Sequence, residues 1–480
     1  MAGQNMLKKR IQETQDYDTV LKNRSFGQNK DEGAADEAED LDKDLSKKIK
    51  TKINKLFGER ILTESKNDEF KAQLYTAINQ LLEKEDTEID LASQKILVQK
   101  IMDDILGFGP IQELIEDPNI SEIMVSRWDK IYIEQNGSLV LMPEYHFDSD
   151  DHLRDVIDKI VQPIGRSINE SEPMVDARLP DGSRVNATVS PISPDGATLT
   201  IRKFKKEKLT GDDYLKFGSL DEKMIKFLNL CVQARCNVIV SGGTGSGKTT
   251  LLNMLSNFIP PGESIVTVED SCELTLYQDN IRRLEARPAN SEGRGAVSIR
   301  DLVKNCLRMR PDRIVVGEIR DGTVVDMFRA MSSGHDGSLT TIHANSPKDL
   351  VDATLPLLFG MSDMSFSEYA KQQQVASAVD LIVQISRLRD GSRKITNITH
   401  VVGLGRDGAS KLKVKNVDDN KIYLQDIFKY KQRGINERKQ VCGDFLATGY
   451  KPKDIIDKLA ASGIEVPDEI FQSEEAMEDE

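Results

Sequence analysis

Over residues 45–105 the large apolar residues return every three or four positions: Ile49, Ile53 and Leu56, then Phe70, Leu74, Ile78, Leu81 and Leu82. That interval lines one face of an α-helix, so the stretch predicts two or three amphipathic helices. Gly107, Gly109 and Pro110 end the pattern and place a domain boundary near residue 110. Over residues 121–141 the pattern becomes an alternation of apolar and polar residues around Asn136 and Gly137, the signature of a β-hairpin. A helical pattern at 150–164 and strand-like stretches at 184–189 and 197–204 complete a small α/β domain. Residues 203–220, "KFKKEKLTGDDYLKFGSL", are basic with little regular patterning and read as a linker. Beyond them, short β-branched runs alternate with helical patterns: "NVIV" at 237–240, "SIVTV" at 264–268, "RIVV" at 313–316, "SLTTI" at 338–342 and "LIVQI" at 381–385. Strands separated by helices form parallel sheets, so this part is expected to be α/β with crossover helices.

The ends of the chain carry little that a core needs. Residues 29–44, "NKDEGAADEAEDLDKD", are acidic and poor in large apolar groups, a composition too weak to offset the entropy of ordering. The expected organisation is therefore a disordered segment 1–45, a helical region 46–110, the α/β domain 111–204, a linker 205–220, a large α/β domain 221–440, a C-terminal helical region 441–471 and an acidic tail 472–480. A chain of 480 residues, 38% hydrophobic and 30% charged, has the composition of a soluble protein with two or three units. No apolar run approaches the ~18 residues of a membrane span, and the basic start "MAGQNMLKKRIQETQDYD" leads into no apolar stretch, so a cytoplasmic location is expected. The net charge of −14 disfavours broad contact with phosphate backbones, and no specific nucleic acid partner is expected. The five cysteines, Cys231, Cys236, Cys272, Cys306 and Cys442, contain no C-x-x-C pair and read as reduced packing residues.

Residues 242–249 fit G-x-x-x-x-G-K-[ST], with a β-branched run before and an apolar-periodic helix after. Glycines lack Cβ atoms, so the amides of Gly243, Thr244, Gly245, Ser246 and Gly247 can close around phosphate oxygens at a helix N-terminus. Lys248 then reaches the β- and γ-phosphates, the Thr249 hydroxyl takes a place on Mg²⁺, and Thr250 follows in the same binding segment. Hydrolysis also needs carboxylates at neighbouring strand ends. "RIVVGE" supplies Glu318, to hold Mg²⁺ or to polarise the attacking water, and "SIVTVED" supplies Glu269 and Asp270, with Glu273 a turn further on. "SSGHDGSLTTIHANS" brackets a strand with His335 and His343, whose imidazoles suit sensing of a γ-phosphate; their spacing is no metal-binding pattern.

Taken together, "GGTGSGKTT", "TVEDSCELTL" and "CLRMRPDRIVVGEIRDGTVVDMFRAMSSGHDGSLTTIHANSP" resemble the Walker A, Asp box, Walker B and His box of the ATPases of type II secretion, type IV secretion and type IV pili. "LGFGPIQELIEDPNISEIMV", "DARLPDGSRVNA", "IRRLEARPANSEGRGAVSIRDLVKN" and "ATGYKPKDIIDKLAASGIEVPDEIF" are similar to the CpaF group, which serves tight-adherence (Tad, Flp) pilus assembly. The likeness runs over about residues 47–471. It implies a RecA-like P-loop NTPase domain with a smaller N-terminal α/β domain and a preceding helical segment. It further implies ATP and Mg²⁺ as cofactors, a homohexamer, and an inner-membrane platform protein as partner at the cytoplasmic face. By the same resemblance Lys248 and Thr249 carry the Walker A roles, Glu318 the Walker B role, Glu269 and Asp270 the Asp-box role, and His335 and His343 the His-box role. Arg184 and Arg202 match arginines that reach the phosphates from the N-terminal domain in relatives, and loss of the γ-phosphate would free that domain to rotate about residues 203–220. Of the two glutamates, Glu318 is favoured as the residue that activates water. The four-cysteine zinc module of the type II secretion and pilus-extension branches is missing, so no zinc is expected.

Overall fold

The computed structural model describes residues 32–472 apart from 59, 65–66, 86–89, 136, 205–208 and 290–292. The chain divides into two compact units, Met1–Lys203 and Phe204–Glu480.

In the first unit the helices Glu32–Phe57, Asp68–Lys84 and Leu91–Leu106 pack through the apolar positions that their spacing predicts, with Ile49, Ile53, Leu74, Ile78 and Ile101 buried at the centre. The first of these helices begins inside the stretch expected to be disordered, at Glu32; the rest of that stretch, residues 1–31, lies outside the described residues. Alanine and glutamate have high intrinsic helix propensity, which a reading based on low hydrophobicity leaves out. Leu56, counted among the core positions, is exposed.

A six-stranded antiparallel sheet follows, built from β1 (Ile120–Arg127), β2 (Lys130–Gln135), β3 (Ser138–Leu141), β4 (Met174–Arg178), β5 (Arg184–Thr188) and β6 (Thr198–Arg202) in the order β3-β2-β1-β6-β5-β4. The helix Asp150–Val161 lays Leu153, Val156, Ile157 and Ile160 into the same core. Its first turn is capped by Ser149, whose hydroxyl accepts from the His152 amide. A tighter 3₁₀ turn, Gln162–Ile164, replaces α-helix where Pro163 brings no N–H. Buried Asp104 connects the helical bundle to this domain: it pairs with Lys50 of the first helix and lies 3.3 Å from Nε2 of His152.

The second unit is built on nine strands: β7 (Val238–Gly242), β8 (Ile265–Glu269), β9 (Ile281–Glu285), β10 (Arg313–Ile319), β11 (Leu339–His343), β12 (Leu381–Arg387), β13 (Arg393–Leu404), β14 (Ile422–Ile435) and β15 (Val441–Ala447). Their order is β15-β14-β13-β12-β7-β11-β10-β8-β9. Neighbours from β12 to β9 run parallel, and β13, β14 and β15 extend the sheet in antiparallel fashion. β7 is buried along its whole length because it lies between β12 and β11 with a hydrophobic layer on each face. One layer carries the helices Glu222–Gln233, Lys248–Ser256 and Lys453–Ala461, the other Ile299–Cys306, Thr323–Met331 and Glu368–Ala378. This is the expected RecA-like α/β architecture.

Two expected boundaries move. The stretch 205–220 is not all linker: Gly211–Lys216 is a helix, and Tyr214 and Leu220 are buried in the core of the second unit. The Asp213 carboxylate fixes the start of this helix by accepting from the Thr210 amide (2.9 Å) and hydroxyl (2.7 Å), a capping box that so short a helix depends on. Asp213→Ala is expected to raise the hydrogen-exchange rates of the Tyr214 and Phe217 amides about fivefold, with the β7 amides unchanged. At the other end, the first residues of the expected helical region 441–471 form β15, paired along β14 from Ile435↔Val441 to Phe428↔Ala447. Among the cysteines, Cys231, Cys236 and Cys306 are buried as packing residues should be, whereas Cys272 is half-buried and Cys442 exposed. Among the described residues no helix is long and apolar enough to cross a membrane.

Candidate active site

β7 ends in Gly242, where a Cβ would lie 2.4 Å from the Ile385 carbonyl oxygen and 2.6 Å from Ser246 Oγ, so only glycine lets the chain turn there. Gly245 and Gly247 take φ of +68° and +96°, in the left-handed region, and Gly247 stands at the N-cap of the helix Lys248–Ser256. No side chain caps this helix, so its first N–H groups face the loop. The Ser246 hydroxyl donates to the Gly243 carbonyl (2.8 Å) and closes the loop on itself. Beside Gly243 there is open space, Thr244 and Thr250 are exposed and Thr249 is half-buried. A ring of amides at a helix N-terminus with room in front of it fits a phosphate chain.

Lys248 lies back over this loop, with Nζ donating to the carbonyls of Gly242 (3.1 Å) and Gly243 (3.2 Å) and standing 3.8 Å from Oε1 of Glu318. The other oxygen of Glu318 accepts from Nε of Arg320 (2.7 Å), and Arg320 also stands 3.6 Å from Asp270. Glu269, at the end of β8, is only 2% exposed. Its Oε2 accepts from the backbone N–H groups of Glu273 (2.7 Å) and Leu274 (2.9 Å), and its Oε1 has no hydrogen-bond partner among the described residues. Burial pushes this carboxyl up to about 7, against the pull of the two backbone N–H groups and Arg283 and with some help from Glu273. The side chain passes over Gly317 of β10, where a Cβ would meet its Cγ at 3.1 Å. Asn253, on the helix that follows the loop, accepts from the Thr275 amide (2.8 Å) and holds the segment after Glu269 in place.

The carboxyl ends of four parallel strands therefore bring together the loop Gly243–Thr250, Glu318, Glu269 and Asp270, and His343, which pairs with Gly242 in the β11–β7 register and is exposed. His335 does not join them. It precedes β11, at the end of the sheet where Leu339 pairs with Val238, roughly 15 Å of strand from His343 at ~3.3 Å per residue. A strand bracketed by the two histidines puts them at opposite ends, and ligands of a parallel sheet collect at the carboxyl end, where His343 stands. Arg184 and Arg202 belong to the first unit, where they face each other directly across β5 and β6; Arg178 opposes Arg184 on the far side. Like charges directly opposed across strands destabilise a sheet, and Glu122 of β1, directly opposite Arg202, offsets part of that cost. Sequence reasoning missed Gly317 and Arg320. Arg320 had a signal: it is a cation two residues after Glu318, just past the end of β10.

A P-loop at the end of a central parallel strand, with acidic residues closing two neighbouring strands, defines a P-loop nucleotide-binding protein of the α/β class. Comparison with known proteins narrows this. The profile of the type II/IV secretion system protein family matches residues 104–443, and the chain belongs to that family. It is 32% identical over 319 residues to a putative conjugal transfer protein of Mycobacterium tuberculosis, spanning 65% of this chain and 88% of that one. The protein VirB11 of Agrobacterium fabrum is 31% identical over 302 residues, 57% of this chain and 87% of that one. Among solved structures, the VirB11 ATPase from the Brucella suis type IV secretion system, in complex with sulphate, is 26% identical, covering 60% of this chain and 94% of that one with a TM-score of 0.33.

Proposed function

We propose that the chain is a Mg²⁺-dependent ATP hydrolase that works as a homohexamer at the cytoplasmic face of the inner membrane. It powers assembly of a Tad/Flp-type pilus through an inner-membrane platform protein, as the CpaF group does. One observation carries the catalytic part: a cradle of left-handed glycines holds Lys248 against Glu318 while buried Glu269 leaves an oxygen unpartnered close by. The amides of residues 243–248 and Nζ of Lys248 bind the phosphate chain. The Thr249 hydroxyl and Glu318 would hold Mg²⁺, which when bound neutralises charge on the phosphate oxygens.

Water attacks the γ-phosphorus, the bond to the bridging oxygen breaks, and Oε1 of Glu269 takes the proton. Glu269 replaces Glu318 in this role because both oxygens of Glu318 face cations, whereas a carboxyl pushed up to about 7 is matched to proton transfer near neutrality. His343 reads the γ-phosphate; His335 has no role at its own chain's site. Arg184 and Arg202 take the phosphate-binding roles that the resemblance implies for them.

Phosphate release by the purified full chain tests the enzyme, with loss in EDTA and a mass six times that of one chain in Mg-ATP as the expected results. Turnover that is negligible in Mg-ATP would leave a docking ring in place of a motor. Relatives named conjugal transfer proteins support a second reading, a type IV secretion ATPase that moves protein or DNA. Co-purification with a Tad-type platform protein and no stimulation by DNA support the pilus reading; strong stimulation by DNA refutes it.

A further inference from the structure

Outside the residues that the P-loop pattern identifies, two arginines lie against the loop. β12 and β13 form a hairpin in which Arg387 and Arg393 are directly opposite one another. Nε of Arg393 donates to the Gly245 carbonyl (3.2 Å), and a Cβ on Gly247 would meet Cδ of Arg393 at 3.2 Å. On the other strand, Nη1 of Arg387 lies 3.7 Å from the position of a Gly245 Cβ. Like charges opposed across a hairpin cost stability. This pair stands beside the loop, where a bound polyanion would favour its charge.

The hairpin is well held. Leu388 and Ser392 close its turn, and Asp390 accepts from the Ser392 amide (3.0 Å) and, across to the next hairpin, from the Val441 amide (2.7 Å). The amides of a P-loop point inward at the phosphates and its carbonyls point away. A guanidinium on the Gly245 carbonyl braces the loop from outside, and the N–H of the same peptide, on Ser246, donates within the loop to the Gly243 carbonyl (3.4 Å). Gly247 thus meets two demands, its positive φ and the passage of the Arg393 stem.

We propose that Arg387 and Arg393 form a cationic wall behind the P-loop, with Arg393 the positioning residue that sets affinity for the phosphate chain of a nucleotide. This rests on the site being a nucleotide cradle. The wall acts on binding in the ground state and the transition state alike, so it moves KM and leaves kcat.

The test is Arg393→Met, which keeps the length of the stem and removes the charge and donors, beside Arg393→Lys and the control Lys248→Ala in the full chain. Kd for a fluorescent ADP analogue and KM for ATP are expected to rise about tenfold in Arg393→Met, with kcat within about twofold, and Arg393→Lys is expected to recover binding to within about threefold of the parent. Arg393 is exposed, so the variants should fold, and thermal melting checks this. If Arg393→Met melts early, Arg387→Met carries the same test. Binding unchanged in the Met variant, or kcat lost with KM intact, overturns the proposal while Lys248→Ala still abolishes binding. A parent protein that binds no nucleotide at all overturns the functional reading beneath it and the proposal with it.

Discussion

Glu318→Gln is expected to lower kcat for ATP hydrolysis by about 10²–10³-fold while the chain still binds Mg-nucleotide. The carboxylate faces two cations, Lys248 at 3.8 Å and Arg320 at 2.7 Å, and glutamine keeps its shape without its charge. Lys248 then loses the carboxylate at 3.8 Å, and a bound Mg²⁺ would lose the anionic ligand that Glu318 would supply. Ground-state binding is spread over the loop amides and survives. Steady-state phosphate release and a fluorescent-nucleotide titration separate the two effects, and turnover within threefold of the parent refutes the assignment. Glu269→Gln is expected to cost about 10²–10⁴-fold, as loss of a general base does. The double variant should be little worse than the poorer single one, because the two carboxylates serve a single step.

How much of this was legible in the sequence depends on how local the constraint is. Glycines at 242, 245 and 247 are required by turns within the loop itself, so the motif announced them. The five β-branched runs became β7, β8, β10, β11 and β12 because strands buried on both faces must be apolar throughout. β13, β14 and β15 were missed for the opposite reason. They leave one edge of the sheet and are fixed by pairing to a neighbour; β13 and β14 mix lysine and arginine with apolar residues, and β15 interrupts its apolar residues with Gly443 and Asp444. Tyr214 and Leu220 are two apolar anchors in a basic stretch, too few to show a period yet enough to seat it in the core. Arg393 lies 148 positions from Gly245, and nothing near either residue in sequence points to the other. His335 and His343 bracket one strand, and the parallel register of β11 on β7 puts His343, not His335, beside Gly242.

The buried carboxyl of Glu269 has a consequence with two opposite signs. Its ordinary value is 4.5 and burial lifts it to about 7, so the folded chain holds a proton there that the unfolded chain has already released. Between those values the unfolded state binds fewer protons, and stability falls as pH rises, reaching its full penalty above about 7. Catalysis follows the reverse course if Glu269 takes the proton from water, since only the carboxylate can accept it. About nine-tenths of the molecules carry that carboxylate at pH 8 and about one in a hundred at pH 5, so kcat/KM is expected to fall about a hundredfold between them. The profile should follow a single group near pH 7, because kcat/KM reports the free enzyme. Over the same interval the melting temperature should rise as pH falls, until other carboxylates begin to protonate. Glu269→Gln removes this group's share of both trends, leaving its residual activity without the step near pH 7. A parent profile that is flat from pH 8 to pH 6 moves the base away from Glu269, and persistence of the step in the variant does the same by an independent route.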